Sequence, residues 1–281
     1  MTTADSSGNI PGPGSLNPRV AVVVLTWNGK SLTLDCLESL TASTYENIQI
    51  IVVDNASTDG TADAVEAQYG GRVTVLVNSA NLGFAGGNNV GIRHAVADGA
   101  EYVMLLNNDT LVDPDLVDRL VDAISRADDI GIVGPKIYYA SPRDQIWYAG
   151  GEINLARGTA RHIGIRETDA GQYDTPSEVD YVTGCALMVR REVIEKIGVL
   201  DTAFKAYFED ADFCMRARAH GYRVVYVPAG RVWHRISSST GGQLSITKIS
   251  LKLSSTWRFL RRYASPRDWI TIPFFFVADA G

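Results

Sequence analysis

The stretch that most constrains this chain is residues 103–110, an apolar run that ends abruptly in polar residues. Residues 103–106 are apolar, and Asn107, Asn108 and Asp109 follow directly. A short apolar run bounded by polar turn residues is typical of a buried strand. In open α/β sheets, ligands bind beyond the carboxyl ends of the strands. The pattern therefore predicts a ligand site here, with Asp109 as an oxygen ligand. The alternative is a turn that Asn and Asp merely cap.

The composition suits a large α/β catalytic domain and excludes several other classes. The chain has 281 residues, of which 46% are hydrophobic, and a net charge of -6. A broad nucleic-acid surface is therefore not expected. Cys36, Cys185 and Cys214 show no paired spacing, so we predict reduced thiols rather than a zinc site or disulfides. Residues 1–18 are predicted to form a flexible tail rather than a signal peptide. No apolar stretch reaches the about 18 residues of a complete membrane span.

Apolar runs alternate with helical patterns through the first half of the chain. Strands are predicted at residues 20–25, 48–53, 73–77, 103–106 and 130–133. Helical spacing follows each of the first three strands, and the fourth is followed by a helix after Pro114. This order predicts a mostly parallel central sheet flanked by helices. Polar residues follow four of these strands: Thr26, Asp54, Asn81 and residues 107–109. Four loops are therefore expected to meet at one rim of the sheet.

A nicotinamide-dinucleotide fold is an alternative, since Asp54 closes the second strand as a ribose-binding acid would. The loop at residues 26–31, however, has one glycine where that fingerprint needs three. Gly83, Gly86 and Gly87 follow the third strand. Such a cluster either lets backbone amides approach a phosphate or is only a turn.

The second half of the chain changes character. Residues 138–176 are predicted to form irregular strands and loops, a lid or acceptor surface that includes Trp147. Residues 181–189 are predicted to form a strand interrupted by Gly184, where a bulge or a ligand would lie close to the backbone. A helix is predicted to open at Glu209, and a capped amphipathic helix without catalytic function is the alternative. A final strand is expected at residues 223–227.

Taken together, the motifs of this sequence resemble those of the family 2 inverting glycosyltransferases, which have the GT-A fold. The resemblance is greatest to bacterial rhamnosyltransferase-type members and runs from about residue 19 to residue 234. The matching segments, in family order, are residues 22–28, 52–60, 81–89, 105–110, 183–186, 208–213 and 221–228, followed by His234.

The resemblance implies a role for each matching residue. Asp210 is implied as the catalytic base and Glu209 as a residue that orients the acceptor, while Gly184 and Trp147 are assigned to the acceptor side. Asp109 and His234 are implied as metal ligands. Donor nucleotide-sugar binding is implied for Thr26, Trp27, Asn28, Asp54, Asn81, Gly83, Gly87, Asn88, Asn107 and Asn108.

Three of these assignments have structural alternatives. Asn107 and Asn108 occupy positions that are often acidic in the family, so metal binding depends on Asp109, His234 and the donor diphosphate. His234 could instead be a structural histidine that packs near Trp233. The indole of Trp27 could stack near the base or belong to the core.

The implied reaction moves a sugar, L-rhamnose or a similar one, from a nucleoside diphosphate to a glycan or lipid-linked glycan. The expected donor is a dTDP- or UDP-sugar, the acceptor a glycan carried on a polyprenyl diphosphate, and the cofactor Mg²⁺ or Mn²⁺. One base suffices for single displacement, whereas a glycosidase needs two carboxyl groups on opposite sides of the bond. A nucleotidyltransferase and a noncatalytic nucleotide-sugar-binding protein are the alternatives.

The C-terminal segment is basic and rich in aromatic residues. We predict three regions: the tail 1–18, a GT-A catalytic domain 19–240, and a basic amphipathic segment 241–281. This last segment could be the truncated start of a membrane-associated region. Basic side chains alternate there with apolar ones such as Trp257 and Trp269, a pattern typical of helices on membrane surfaces. Packing on the catalytic domain and a homodimer interface are the alternatives. The expected location is cytoplasmic, at the inner face of a bacterial plasma membrane.

Overall fold

The computed structural model describes residues 17–236 and 246–278. The predicted tail 1–18 lies almost wholly outside these residues. The strands are β1 Val20–Thr26, β2 Ile48–Asp54, β3 Val73–Val77, β4 Tyr102–Asn107, β5 Thr110–Val112, β6 Ile130–Tyr139, β7 Ile146–Tyr148, β8 Gly151–Asn154, β9 Thr159–His162, β10 Ser177–Glu178, β11 Ala186–Arg190 and β12 Arg223–His234. The helices are α1 Lys30–Thr41, α2 Thr61–Tyr69, α3 Gly83–Ala97, α4 Leu116–Ile124, α5 Arg191–Ile197, α6 Glu209–Ala219, α7 Ile246–Tyr263 and α8 Pro266–Ala278.

Within the described residues, ten strands form one mixed sheet, and the α/β prediction is confirmed. The sheet runs in the order β10-β12-β6-β11-β4-β1-β2-β3, while β5 pairs with β12 and β7 with β6. Strands β4, β1, β2 and β3 are parallel to one another, and β11 runs antiparallel between β4 and β6. The pair β8 and β9 forms a separate two-stranded sheet.

The central strands β1, β2 and β4 consist mostly of apolar residues, as expected for strands that helices cover on both faces. Residues 20–24 of β1 are each 0% exposed. Burial of a Val or Leu side chain contributes roughly 1.5–3 kcal/mol, so this strand anchors the core. The cysteines Cys36, Cys185 and Cys214 are buried free thiols.

Helix α3 begins earlier than predicted, because its glycines lie inside the helix rather than in a loop. The structure starts α3 at Gly83, whereas the sequence pattern predicted helix only from Val90. A Cβ on Gly87 would lie 2.4 Å from Leu25 Cδ1, and one on Gly91 would lie 2.3 Å from Val23 Cγ1. These glycines therefore let α3 pack directly against β1, which offsets their poor helix propensity.

Strands β4, β6 and β12 extend further than the sequence predicted. Asn107 is the last residue of β4 rather than the first residue of the following loop. Strand β12 does not end at Val227 but continues to His234, with an irregularity in its register between Val227 and Arg231. The extension matters because it carries His234 alongside Thr110 of β5.

The predicted strand at residues 181–189 is wrong in its first half. Only Ala186–Arg190 is a strand, because Ala186 N–H donates to the Thr183 carbonyl at 3.2 Å in a tight turn. This turn directs Gly184 N–H away from the sheet and toward α6, where it donates to Asp210 Oδ2 at 2.9 Å.

The C-terminal helices lie against the catalytic body. Phe259, Leu260 and Ile272 are buried, and a Cβ on Gly158 would contact both Leu260 and Ile272. Among the described residues, no helix is both long enough and apolar enough to cross a membrane. The side chain of Lys248, part of the predicted basic face, lies outside the described residues.

Candidate active site

The first part of the rim is a buried hydroxyl–amide cluster at the ends of β1 and β4. Thr26 Oγ1 lies 2.8 Å from Thr33 Oγ1. Asn108 Nδ2 donates to Thr26 Oγ1 at 3.1 Å and to Thr33 Oγ1 at 3.0 Å. The structure thus brings together Thr26 and Asn108, two of the residues predicted to line the rim. Sequence reasoning missed Thr33. Its only signal was its place 7 residues after Thr26, in the first turn of α1.

Asp54, at the end of β2, has one carboxylate oxygen in use and one free. The residue is 1% exposed, and its Oδ1 accepts a hydrogen bond from Ser57 N–H at 2.6 Å. Its Oδ2 is buried without a hydrogen-bond partner. Buried polar atoms are rarely left unpaired, so this oxygen is suited to a ligand N–H group.

Asn28 joins the loops that follow β1 and β2. It adopts φ 49, a left-handed conformation that asparagine tolerates better than most residues. Its N–H donates to Ser57 Oγ at 2.9 Å and its Oδ1 accepts from Thr58 N–H at 2.7 Å. The neighbouring Trp27 is 53% exposed, so its assignment to the core is wrong.

Asn55 organises the loop after β3. Its Nδ2 donates to Asn81 Oδ1 at 2.9 Å, and its Oδ1 accepts from Leu82 N–H at 2.9 Å and Asn78 Nδ2 at 3.1 Å. Asn81 Oδ1 also accepts from Gly83 N–H at 2.9 Å, at the start of α3. Sequence reasoning assigned no role to Asn55, although it directly follows Asp54.

Two predicted nucleotide-binding residues lie inside α3. Gly87 contacts Leu25, as described above, and Asn88 is buried with its Nδ2 donating to the Phe84 carbonyl at 3.0 Å. Their described contacts are with the protein, and their role toward a ligand stays a prediction.

Asp109 and His234 meet at the end of β4, as predicted for a metal site. His234 Nε2 lies 3.1 Å from Asp109 Oδ1. This is an ion-pair distance, yet Asp109 Oδ1 makes no hydrogen bond, and His234 Nδ1 is also buried without a partner. Burial opposes protonation of His234, but Cys185 and Asp109 outweigh it and raise the pKa of the imidazole to about 10.

The ring of His234 packs on Trp147 rather than on Trp233. The Trp147 and His234 ring centroids are 4.5 Å apart, at 74°, whereas Trp233 stacks on Tyr138. His234 therefore packs against an indole, as the structural alternative expected, but the indole is that of Trp147 and not that of Trp233. Trp147 instead links the predicted acceptor side to the Asp109–His234 pair.

Asp210 lies at the start of α6, where two backbone N–H groups fix its carboxylate. Besides Gly184 N–H on Oδ2, Ala211 N–H donates to Oδ1 at 2.8 Å. Burial raises the pKa of Asp210 despite these hydrogen bonds. Burial, and then repulsion from Asp210, also raises the pKa of Glu209, whose Oε2 is buried without a partner.

Cys185 connects Asp210 to the Asp109–His234 pair. It follows Gly184, which binds Asp210, and its carbonyl accepts a hydrogen bond from Asn107 N–H at 2.9 Å. Burial raises the pKa of its thiol, and the thiol also interacts electrostatically with His234, Asp109 and Asp210. The three chemically important side chains therefore surround one turn. Sequence reasoning missed Cys185, although it lies in the motif at residues 183–186.

Among the described residues, no group of three or more His, Cys, Asp or Glu side chains could hold a metal ion. Asp109 and His234 each have one buried atom without a hydrogen-bond partner, and their role as metal ligands stays a prediction. A cavity of about 300 Å³ borders His234 and is lined by Tyr139, Ala140, Ser141, Arg235 and Ile236. A larger cavity of about 370 Å³ beside β10 and β12 is lined by none of the predicted site residues.

Comparison with known proteins agrees with this geometry. Residues 21–198 match the family model for glycosyl transferase family 2. The chain is 31% identical over 237 residues to N-acetylglucosaminyl-diphospho-decaprenol L-rhamnosyltransferase of Mycobacterium tuberculosis, covering 78% of this chain and 77% of that protein.

Two further matches support less, because one covers only a small part of the relative and the other shows only the fold. The chain is 30% identical over 237 residues to the uncharacterized protein y4gI of Sinorhizobium fredii, covering 80% of this chain but only 25% of that protein. The fold matches a mannosyltransferase of Pyrobaculum calidifontis, solved in complex with GDP-Man and Mn²⁺, with a TM-score of 0.65 and 20% identity. That match covers 91% of this chain and 68% of the mannosyltransferase. On these matches, the chain belongs to glycosyl transferase family 2 and is a rhamnosyltransferase-like hexosyltransferase with the GT-A fold.

Proposed function

We propose that this enzyme transfers L-rhamnose from dTDP-L-rhamnose to a glycan on a polyprenyl diphosphate, by a single inverting displacement. The observation that supports this most is the meeting of Asp210 and the Asp109–His234 pair around the Gly184–Cys185 turn. Rhamnose as the sugar and a lipid diphosphate as the acceptor are suggested by the name of the mycobacterial relative.

The donor nucleotide would lie along the rim formed by β1, β2 and β3. The unpaired Oδ2 of Asp54 suits the imide N–H of thymine or uracil, since a buried carboxylate oxygen gains most from a charge-assisted hydrogen bond. The exposed Trp27 beside it offers a surface on which the base can stack.

The diphosphate would lie next to Asp109 and His234. One carboxylate and one imidazole, with phosphate oxygens, suit Mg²⁺ or Mn²⁺. The unpaired Oδ1 of Asp109, 3.1 Å from His234 Nε2, is suited to such an ion. A divalent cation bound there would stabilise the negative charge that develops on the departing nucleoside diphosphate.

Asp210 would accept the proton of the acceptor hydroxyl as that hydroxyl attacks the anomeric carbon. Burial raises its pKa, which strengthens it as a base. Glu209 precedes it on the same helix, so the two carboxylates cannot flank the bond from opposite sides as glycosidase chemistry requires. Of the rival activities, a nucleotidyltransferase would give no sugar transfer, and a noncatalytic protein would give no turnover.

The acceptor lipid would be reached at a membrane surface. Leu253, Trp257 and Ile270 of α7 and α8 are 55%, 57% and 68% exposed. Arg258, Arg261 and Arg267 are exposed on the same two helices. Apolar side chains among arginines are suited to anionic lipid headgroups.

The variant Asp210→Asn is expected to lose transfer, because an amide cannot accept the proton. Loss of a general base reduces kcat by about 10²–10⁴-fold, while the thermal shift produced by dTDP should be unchanged. The assay measures dTDP release from dTDP-L-rhamnose with a synthetic N-acetylglucosaminyl-diphosphoprenol acceptor. Asp63→Asn, an exposed carboxylate on α2, is the control. Unchanged turnover in Asp210→Asn would remove this residue from the mechanism.

The variant Asp109→Asn is expected to weaken metal-assisted nucleotide binding. In the wild type, Mn²⁺ should increase the thermal shift produced by dTDP or UDP more than that produced by GDP. Loss of one of two protein ligands should raise the Mn²⁺ concentration for half effect by at least about 10-fold, and the exposed Asp122→Asn should not. A wild-type response that is independent of Mn²⁺ would contradict the proposed metal site.

The double variant Leu253→Glu with Trp257→Glu is expected to lose membrane binding. Each side chain contributes roughly 1.5–3 kcal/mol when buried in an apolar phase, so affinity for phosphatidylglycerol vesicles should fall at least about 10-fold. Co-sedimentation measures this, with phosphatidylcholine vesicles for comparison. Ile165→Glu replaces an exposed apolar residue elsewhere and should bind like the wild type. Equal binding by all three proteins would refute the membrane surface.

The variant Glu209→Gln is expected to be more stable than the wild type at neutral pH but not at acidic pH. The folded-state pKa of Glu209 is raised above its ordinary 4.5, so ionisation disfavours the folded state as pH rises above that value. Glutamine removes this penalty, which should be on the order of 1–3 kcal/mol. Tm values at pH 5 and pH 8 measure it, with the exposed Glu46→Gln as control. A Tm difference independent of pH would show that Glu209 is not a strained buried acid.

A further inference from the structure

The segment that leads into the catalytic helix has a strained backbone. Tyr207 and Phe208 adopt φ 68 and φ 69, a left-handed conformation that is uncommon for residues other than glycine. They immediately precede Glu209 and Asp210. Such conformations destabilise the folded state and persist only where the surrounding structure holds them.

Helix α7 contacts this segment on both sides of Tyr207. Ser255 Oγ donates a hydrogen bond to the Ala206 carbonyl at 2.6 Å. The ring of the buried Phe259 packs on that of Phe208, with centroids 4.9 Å apart. The two residues that flank Tyr207 are therefore both held by α7.

The same helix binds the first turn of α6 through Asp212. This carboxylate is 0% exposed, and its Oδ1 accepts hydrogen bonds from Arg262 Nη1 at 2.5 Å and from Tyr263 OH at 2.8 Å. Arg262 Nη2 also donates to Asp201 Oδ2 at 2.8 Å. One guanidinium therefore joins both ends of the segment 201–212.

We propose that α7 is a brace for the catalytic base, and that Arg262 is a positioning residue for Asp210. Asp212 N–H donates to the Phe208 carbonyl at 2.8 Å, so a fixed Asp212 also fixes the strained entry to α6. Asp210 lies between Phe208 and Asp212 and takes its direction from them. This inference rests on the proposed function, since it assigns Asp210 as the base.

The test compares Arg262→Gln with Arg126→Gln in the 281-residue chain. Arg126 is an exposed arginine outside α7 and α8 and serves as the control. In the transfer assay described above, Arg262→Gln should lower kcat at least about 10-fold, because small misplacement of a catalytic group is costly. The KM for dTDP-L-rhamnose should stay within about twofold. Arg262→Lys should restore kcat only in part, because an ammonium cannot bridge two carboxylates as a guanidinium fork does.

A second measurement does not depend on activity. Hydrogen–deuterium exchange of residues 204–212 should be at least about 10-fold faster in Arg262→Gln than in the wild type and unchanged in Arg126→Gln. If Arg262→Gln does not fold, Ser255→Ala replaces it, since this variant removes a single hydroxyl. Exchange of residues 204–212 should then be about threefold faster than in the wild type.

The possible outcomes distinguish a failure of the proposed function from a failure of the proposed brace. A wild type without transferase activity would refute the proposed function, whereas exchange would still report on the brace. Wild-type kcat and exchange in Arg262→Gln, or equal losses in Arg126→Gln, would overturn the brace itself.

Discussion

The parallel pairing of β1 with β2 and β4 is the constraint on which the site depends. Register places Thr26 beside Asp54 and Leu25 beside Asn107, so the polar residues that end each strand arrive at one edge. A slip of one residue would turn every side chain of a strand to the opposite face. The burial of these strands on both faces therefore fixes the chemistry of the rim as well as the fold.

Polar atoms without partners are concentrated where the chemistry is proposed. Of the five buried side-chain atoms that lack a hydrogen bond among the described residues, four belong to Asp54, Asp109, Glu209 and His234. Each such atom destabilises the folded state by roughly 1–3 kcal/mol, and the strained backbone before Glu209 adds to this. The apolar core offsets these costs, so the site is held in a state that it would not adopt alone.

Sequence reasoning reached the sheet, its polar rim and the start of α6 because local patterns encode them. Apolar runs that end in Thr26, Asp54 and Asn107 are visible without coordinates. It missed what depends on tertiary contact. The glycines of α3 suggest a loop until their contacts with β1 are seen, and nothing local places Trp147 against His234 or Arg262 against Asp212. Residues far apart in the chain meet only when the whole fold is known.

The tertiary contacts also explain why residue 108 is an amide and not a carboxylate. Thr33 Oγ1 donates to the Gly29 carbonyl at 2.8 Å, so the proton between Thr26 and Thr33 must come from Thr26. Both hydroxyl protons are then used, and only a donor can occupy the third corner. The amide of Asn108 donates to both oxygens, whereas an aspartate would be a carboxylate facing acceptors, which is unfavourable when buried. Asp109 is therefore the one acid among residues 107–109, and a cation bound as we propose would depend on this carboxylate and on the donor diphosphate.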